Sequence, residues 1–251
     1  MEARKIIITG GATRIGAAIA EKLSGQNKEI VIHYNKSKSK AESLKKKIQD
    51  NGTNVYLVKG DLSKEKDINK ILKFSKSKLK YFDCLINNAS IFENDKLENV
   101  SSKSWDKHIS INLKAPALLS KEFSKNTKGK NNNIINIIDQ RIFKLTPFFF
   151  SYTLSKTGLY TLTKTSAISL SPNVRVNGIA PGPTIKNKRQ SEKHFKTQYL
   201  ATPLKQQVDV NEVCNAVDFF IKNSSITGQV LAIDSGQSLN WQTPDILKAK
   251  E

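Results

Sequence analysis

Cysteine is nearly absent from this chain: 251 residues hold two, Cys84 and Cys214, both in apolar contexts. With no Cys-x-x-Cys there is no sign of a disulfide framework or a thiolate redox motif. The two thiols read as small buried hydrophobes in a reducing compartment, and no metal is expected. Long apolar runs are missing as well. None approaches the roughly 20 residues that span a bilayer, and no apolar stretch precedes the strand pattern at Lys5, which argues against a secretory leader. A cytoplasmic protein without a membrane partner is expected. Arginine is the third scarcity. Of 41 basic residues only Arg4, Arg14, Arg141, Arg175 and Arg189 are arginine. Against 22 acidic residues the net charge is +19, which alone would invite a nucleic-acid partner. The lysines, however, are spread over many segments among abundant Asn and Ile, the mark of a coding bias. A nucleic-acid face would concentrate arginine and interleave aromatics. No nucleic-acid partner is expected.

What is present suits one α/β domain with a full core, spanning residues 1–251 with a polar tail at about 242–251 that frays. Apolar, β-rich runs predict strands at 5–9, 29–33, 54–59, 84–87, 133–138, 175–179 and 230–234. Helical patterns lie between them near 15–24, 38–50, 65–79, 102–126, 151–170 and 209–222. Nearly continuous apolar strands separated by helices indicate a parallel sheet covered on both faces. Right-handed crossovers then wind seven strands into a doubly wound Rossmann fold. Segment 183–203 has no strand pattern and is expected to form a mobile substrate loop.

The first strand runs into Thr9-Gly10-Gly11-Ala12-Thr13-Arg14-Ile15-Gly16 and then a helix. Glycines in such a turn let the backbone approach a ligand, and the helix N-terminus receives a pyrophosphate. Gly10, Arg14, Ile15 and Gly16 are therefore candidate dinucleotide contacts, with the Arg14 fork suited to phosphate. The second strand ends in His33-Tyr34-Asn35-Lys36-Ser37, and no acidic residue stands between Glu29 and Glu42. An NAD-preferring site would offer a carboxylate there to the adenosine ribose. Tyr34, Asn35, Lys36 and Ser37 instead suit a 2′-phosphate, which favours NADPH/NADP+ over NADH. Asp61 and Leu62 are placed to touch adenine, unless Asp61 serves as a helix cap. Asn88, Ala89 and Ser90 would line the cofactor groove, while Asn87 divides between contact and structural duty. Asn112 sits mid-helix, where asparagine is a poor former, and is expected to kink the helix and hold a water near Lys156. Pro181, Gly182 and Thr184 could close over a nicotinamide. Tyr152 and Lys156 fall one turn apart on one helix face. There the ammonium would lower the phenol pKa and orient a ribose, making Tyr152 a proton donor or acceptor near neutral pH.

From residue 5 to about 240 this set resembles the short-chain dehydrogenase/reductase family in order and approximate spacing. Arg14, His33-Tyr34-x-x-Ser37, Ser90-Ile91-Phe92 and Asp139/Tyr152/Lys156 look like its pteridine reductase and dihydrofolate/dihydromonapterin reductase branch. The resemblance implies that Phe92 stacks on a pterin and that Arg14, Ser90, Phe92, Asp139 and Tyr152 bind substrate. It implies a catalytic set of Asp139, Tyr152, Lys156 and Asn112, and a homo-oligomer, tetramer or dimer, with helices 102–126 and 151–170 as contacts. The chain departs from the branch over 140–150, where Arg141 and three consecutive phenylalanines stand.

Most members of the family carry a serine where this chain has Asp139. A hydroxyl can donate to a carbonyl oxygen, whereas an ionised carboxylate only accepts. Ketone reduction needs donors for a developing alkoxide. Reducing the C=N of a dihydropterin needs a hydride at carbon and a proton at nitrogen. A carboxyl beside Tyr152 could relay that proton and hold an amino-pyrimidine edge. The expected activity is therefore NADPH-dependent reduction of a dihydropterin or dihydrofolate-like C=N bond. Two alternatives stay open: a ketone or 3-oxoacyl reductase in which Asp139 only caps the strand end, and a nicotinamide-binding regulator without turnover.

Overall fold

The computed structural model describes residues 4–187 and 189–241; the expected tail at 242–251 lies outside them. Seven strands form one parallel sheet: β1 (Lys5–Ile8), β2 (Glu29–Tyr34), β3 (Asn54–Lys59), β4 (Cys84–Asn87), β5 (Asn132–Ile137), β6 (Val174–Pro181) and β7 (Val230–Ile233). Their order is β3-β2-β1-β4-β5-β6-β7. Helices α1 (Arg14–Lys22), α2 (Lys38–Gln49), α3 (Glu65–Leu79), α4 (Ser102–Ile109), α5 (Ala115–Ser124), α6 (Phe150–Ser169), α7 (Glu192–Leu200) and α8 (Val210–Lys222) cover it. This is the expected doubly wound fold. The chain order reverses between β1 and β4, the position at which open α/β sheets leave a crevice at the carboxyl ends of the strands.

Strand β1 shows why both faces are buried. Ile6 and Ile8 turn to one side, where they join Ile30, Ile32 and Ile86 against Ile19 of α1 and Val217 of α8. Ile7, between them, turns to the other side with Val31, Leu85 and Ile134, packed against Ile71 of α3 and Phe123 of α5. Successive side chains of a strand point to opposite faces, so a run of isoleucines feeds two cores at once. Each such burial contributes about 1.5–3 kcal/mol over exposure.

The pattern expected over 102–126 is not one α-helix. A π-helical turn, Ser110–Lys114, separates α4 from α5 and contains Asn112. In segment 183–203 the structure has helix α7, capped at its start by Ser191, whose hydroxyl accepts from the His194 amide. Its sequence, EKHFKTQYL, buries only Phe195, so it shows no apolar stripe by which a helix could be read.

Candidate active site

A cavity of about 820 Å³ lies at the carboxyl ends of β1, β4, β5 and β6. Gly10, Asn88, Asp139 and Gly182, each just past one of those strands, line it. A second cavity, of about 690 Å³, adjoins it around Tyr34, Asn35, Lys36 and Ser37.

At the glycine turn, Gly10 has φ +59, and a Cβ there would come within 2.9 Å of Ala89 Cα. A Cβ on Gly16 would meet the Gly10 carbonyl at 2.5 Å. The turn is locked from β4: the Asn88 amide nitrogen donates to the carbonyls of Thr9 (2.9 Å) and Gly10 (3.0 Å). His33 locks it from β2, its Nδ1 accepting the Gly10 N–H at 3.1 Å while Nε2 faces the Gly60 carbonyl at 3.1 Å. Arg14 stands at φ +57, in the region glycine prefers. Its fork has partners other than the expected phosphate: it donates to the carbonyls of Lys186 (2.8 Å) and Ile185 (2.7 Å), tying the loop after β6 to the glycine turn. Asp61 Oδ1 accepts from the amide and hydroxyl of Ser63, so it caps that turn while lining the cavity with Leu62. Pro181 closes β6 rather than following it. Gly182 sits so close to the chain after β7 that a Cβ would meet Asp234 Cα at 2.6 Å, and the buried Thr184 hydroxyl donates to the Gly182 carbonyl.

Helix α6 brings Tyr152 and Lys156 under the cavity, both buried. The Tyr152 hydroxyl donates to Asp139 Oδ2 at 2.6 Å, and Asp139 Oδ1 accepts the Arg141 amide at 2.9 Å, capping a short helical turn (Gln140–Ile142). Asp139 thus holds the phenol and also caps the end of the strand. The expected lowering of the phenol pKa by Lys156 does not occur in this arrangement. Burial, followed by the charge and hydrogen bond of Asp139, pushes Tyr152 well above the ordinary phenol value, opposed only by Arg141. Lys156 donates to the Ile137 carbonyl at 2.8 Å, and burial lowers its own pKa to about 8 despite Asp139. Tyr152 therefore stays protonated, a donor rather than an acceptor.

Asn112 lies in the π-helical turn, and its side chain is bonded within the fold. Its Oδ1 accepts from Ile91 N (3.0 Å) and Ser90 Oγ (3.1 Å), and its Nδ2 donates to the Ile91 carbonyl (3.1 Å) and Ser155 Oγ (3.0 Å). An asparagine amide has capacity for about four such bonds, so this side chain is fully engaged within the fold. It positions the segment after β4 against α6. Asn87 is likewise structural, buried and donating to Asn136 Oδ1 at 2.8 Å.

Phe92 covers Tyr152. Its ring stacks on Phe149 with centroids 4.2 Å apart and planes 13° apart, and meets Tyr152 edge-on at 4.5 Å. Ser90 lines the same wall. Among the lining residues absent from the expected site set are Gln140, Arg141, Phe149 and Arg189. Gln140 is buried, and its Oε1 has no hydrogen-bond partner among the described residues. The signals for them in the sequence were the unusual run 140–150 and the rarity of arginine.

The fold and the Tyr152–Lys156 pair define a short-chain oxidoreductase, and the family model described as short chain dehydrogenase matches residues 4–198. The chain belongs to that family. It is similar to the crystal structure of FolM alternative dihydrofolate reductase 1 from Brucella canis, complexed with NADP: 41% identity, 96% of each chain covered, TM-score 0.91. The Brucella suis counterpart, also in complex with NADP, shares 40% identity over 96% of this chain and 98% of that one, with a TM-score of 0.92. These neighbours bear out the resemblance to the dihydrofolate reductase branch. A curated relative, the 3-oxoacyl-[acyl-carrier-protein] reductase FabG of Buchnera aphidicola, is 30% identical over 240 residues, covering 93% of this chain and 97% of the relative.

Proposed function

We propose that this chain is an NADPH-dependent reductase of the C=N bond in a flat, amino-substituted heterocycle of the dihydropterin or dihydrofolate type. The observation that carries the reading is the Asp139 carboxylate, bonded to the Tyr152 hydroxyl and lining the cavity beside the Phe92 ring. A carboxylate accepts hydrogen bonds only, which matches the donor-rich edge of an aminopyrimidine and not a ketone oxygen. Gln140 Oε1, a buried acceptor without a partner among the described residues, adds to that complementarity.

The residues present fit a dinucleotide. Thr13 makes no side-chain cap on α1, leaving its first amides for an anion, and the side-chain-free surfaces of Gly10 and Gly16 fit close approach. Gly10, Ile15 and Gly16, with the backbone of Arg14 at the start of α1, would hold the pyrophosphate, and Asp61, Leu62, Asn88, Ala89 and Ser90 the adenosine side and floor. Lys36 and Ser37, with Tyr34 and Asn35, would hold a 2′-phosphate. Tyr152, Lys156, Pro181, Gly182 and Thr184 would hold the nicotinamide riboside. When bound, the nicotinamide supplies the hydride. Tyr152, kept protonated by burial and Asp139, supplies the proton at nitrogen, and Asp139 holds the phenol in place. NADP in the two Brucella neighbours supports this cofactor. Self-association belongs to the same proposal, with exposed Leu154 and Ile168 of α6 as contact residues; light scattering that shows only monomer at micromolar concentration would remove it.

Ketone or 3-oxoacyl reduction is the second reading, supported by the FabG relative. The two are separated by NADPH oxidation with dihydropterin, dihydrofolate and ketone substrates, comparing the wild type with Asp139→Ser. The C=N reading expects wild-type turnover of the dihydropterin class and a loss of about ten- to a hundredfold in Asp139→Ser, the worth of a hydrogen bond to a charged group. A wild type that reduces only ketones, with the serine variant at least as fast, overturns it.

A further inference from the structure

Three of the five arginines of this lysine-rich chain, Arg14, Arg141 and Arg189, line one cavity. Arg14 is accounted for by the two loop carbonyls it grips. The other two are not. Arg141 enters from the turn after β5 and Arg189 from the loop ahead of α7. Their guanidinium carbons lie 5.7 and 4.8 Å from the Phe92 ring centre, and 4.7 and 5.1 Å from that of Phe149. Arg141 Nη1 donates to Thr146 Oγ1 at 2.9 Å. Among the described residues neither guanidinium has a carboxylate within ion-pair distance. Only Asp61 and Asp139 are acidic among the residues that line this cavity. Asp61 accepts from Ser63, and Asp139 from Tyr152 and the Arg141 backbone; neither carboxylate pairs with the Arg141 or Arg189 guanidinium. Two planar cations therefore converge on an aromatic pair with most of their donors unspent.

We propose that Arg141 and Arg189 form an anion-recognition subsite at the Phe92 end of the cavity, so that the preferred substrate carries an anionic substituent, carboxylate or phosphate ester, beyond its flat ring. The identity of the ring rests on the C=N reductase reading; the anion does not. A lysine would supply the charge as a flexible point. A guanidinium binds two oxygens side by side while its plane lies on an aromatic face. Phe92 and Phe149, stacked on each other, bring the two guanidinium carbons together against one aromatic pair. Arginine at these two positions, in a chain that uses lysine for nearly every other cation, matches the geometry that bidentate binding and stacking require.

The test is a ratio of kcat/KM values: dihydrofolate, whose tail carries carboxylates, and a dihydropterin phosphate ester, each over a dihydropterin with an uncharged polyol side chain. The wild type should favour one anionic substrate, and which one names the anion. Arg141→Gln and Arg189→Gln should each lower that ratio by about tenfold, chiefly through KM, and rising ionic strength should lower it in the wild type. A wild-type ratio near one, or a ratio that both variants leave unchanged, overturns the inference while reduction of the polyol dihydropterin leaves the reductase reading standing. Titration of 4-aminobenzoylglutamate and of inorganic phosphate onto the NADP+-saturated protein needs no turnover. Saturable binding of either probe that the double variant R141Q/R189Q loses, with its thermal melt and NADP+ affinity intact, supports the subsite even where no C=N substrate reacts. Binding that the double variant retains overturns it.

Discussion

At the glycine-rich end of the cavity the backbone makes the shape, while at the Phe92 end side chains make it. Gly10 and Gly16 leave surfaces that any Cβ would fill, and regular elements on either side hold them there. Residues 90–95, 139–149 and 183–187 have no such frame. They approach from separate segments and are tied by cross-links: Asp95 Oδ1 accepts the Ser151 amide at 3.0 Å, its Oδ2 accepts the hydroxyls of Ser151 and Ser104, and Phe149 N–H reaches Asn94 Oδ1 at 3.2 Å. Phe149 itself stands at φ +59, rare for a bulky residue, so neighbouring segments hold it in place. One device is common to both ends. His33 accepts the Gly10 N–H, and His108 Nε2 accepts the Glu93 N–H at 3.2 Å, while the other nitrogen of each ring faces a backbone carbonyl, Gly60 or Ser104. Each end is thus pinned by a neutral imidazole. Backbone geometry suffices for a ligand that many enzymes share, whereas a particular substrate has to be read by side chains drawn from distant parts of the chain.

The largest effect expected separates the two ends. Tyr152→Phe should reduce kcat by about 10²–10⁴-fold, the usual worth of a positioned proton donor, while NADPH affinity by fluorescence titration stays within a few-fold. A near-normal kcat would assign the proton to another group. Gly16→Ala is the opposite cut. Its methyl would collide with the Gly10 carbonyl and the Asn88 amide, so thermal denaturation should report a loss of about 1–3 kcal/mol, together with weaker NADPH binding. An unchanged melt and affinity would mean that this end has slack it does not show.

Within the glycine-rich end, Lys36→Ala sharpens the cofactor reading. It should raise the KM for NADPH about tenfold, the worth of one charge-assisted bond, and leave that for NADH in place. Equal effects on both cofactors would move the 2′-phosphate elsewhere. The smallest effect is shared by both ends. Burial holds the pKa of His33 below its ordinary value, opposed by Gly60, Asp61 and Asp67. It does the same for His108, opposed by Ser104, Asp95 and Glu93. The unfolded chain then binds more protons than the folded one, so this stability is complete above about pH 6.5 and falls as pH drops through that value. Melting curves between pH 8 and 5.5 check the sign; a midpoint that does not fall with pH would contradict it.

Where the sheet and the glycine turn lie was legible because each is a local pattern. Strand β1 is a run of isoleucines, β3 and β4 are built around the apolar runs Val55–Val58 and Cys84–Ile86, and Tyr152 and Lys156 share a face because a helix repeats every 3.6 residues. Helix α7 was not legible, since its single buried Phe195 leaves no period to read. The π-helical turn at Ser110–Lys114 was only half legible: Asn112 marked an oddity, but its four hydrogen bonds to the segment after β4 and to α6 belong to the packed structure.

The sequence by itself determined the seven-stranded doubly wound sheet, the turn without side chains at Gly10 and Gly16, the Tyr152–Lys156 pair and the absence of a carboxylate after β2. All of these follow from short-range spacing and side-chain type. Only the tertiary structure decided that Tyr152 would be held by Asp139 at 2.6 Å and kept protonated, that Arg14 would clasp a loop, and that Arg141 and Arg189 would meet over Phe92 and Phe149. Those contacts join segments that lie far apart in the chain or fold back over the carboxyl edge of the sheet. They are set by loop packing and burial, and no local period in the sequence encodes them.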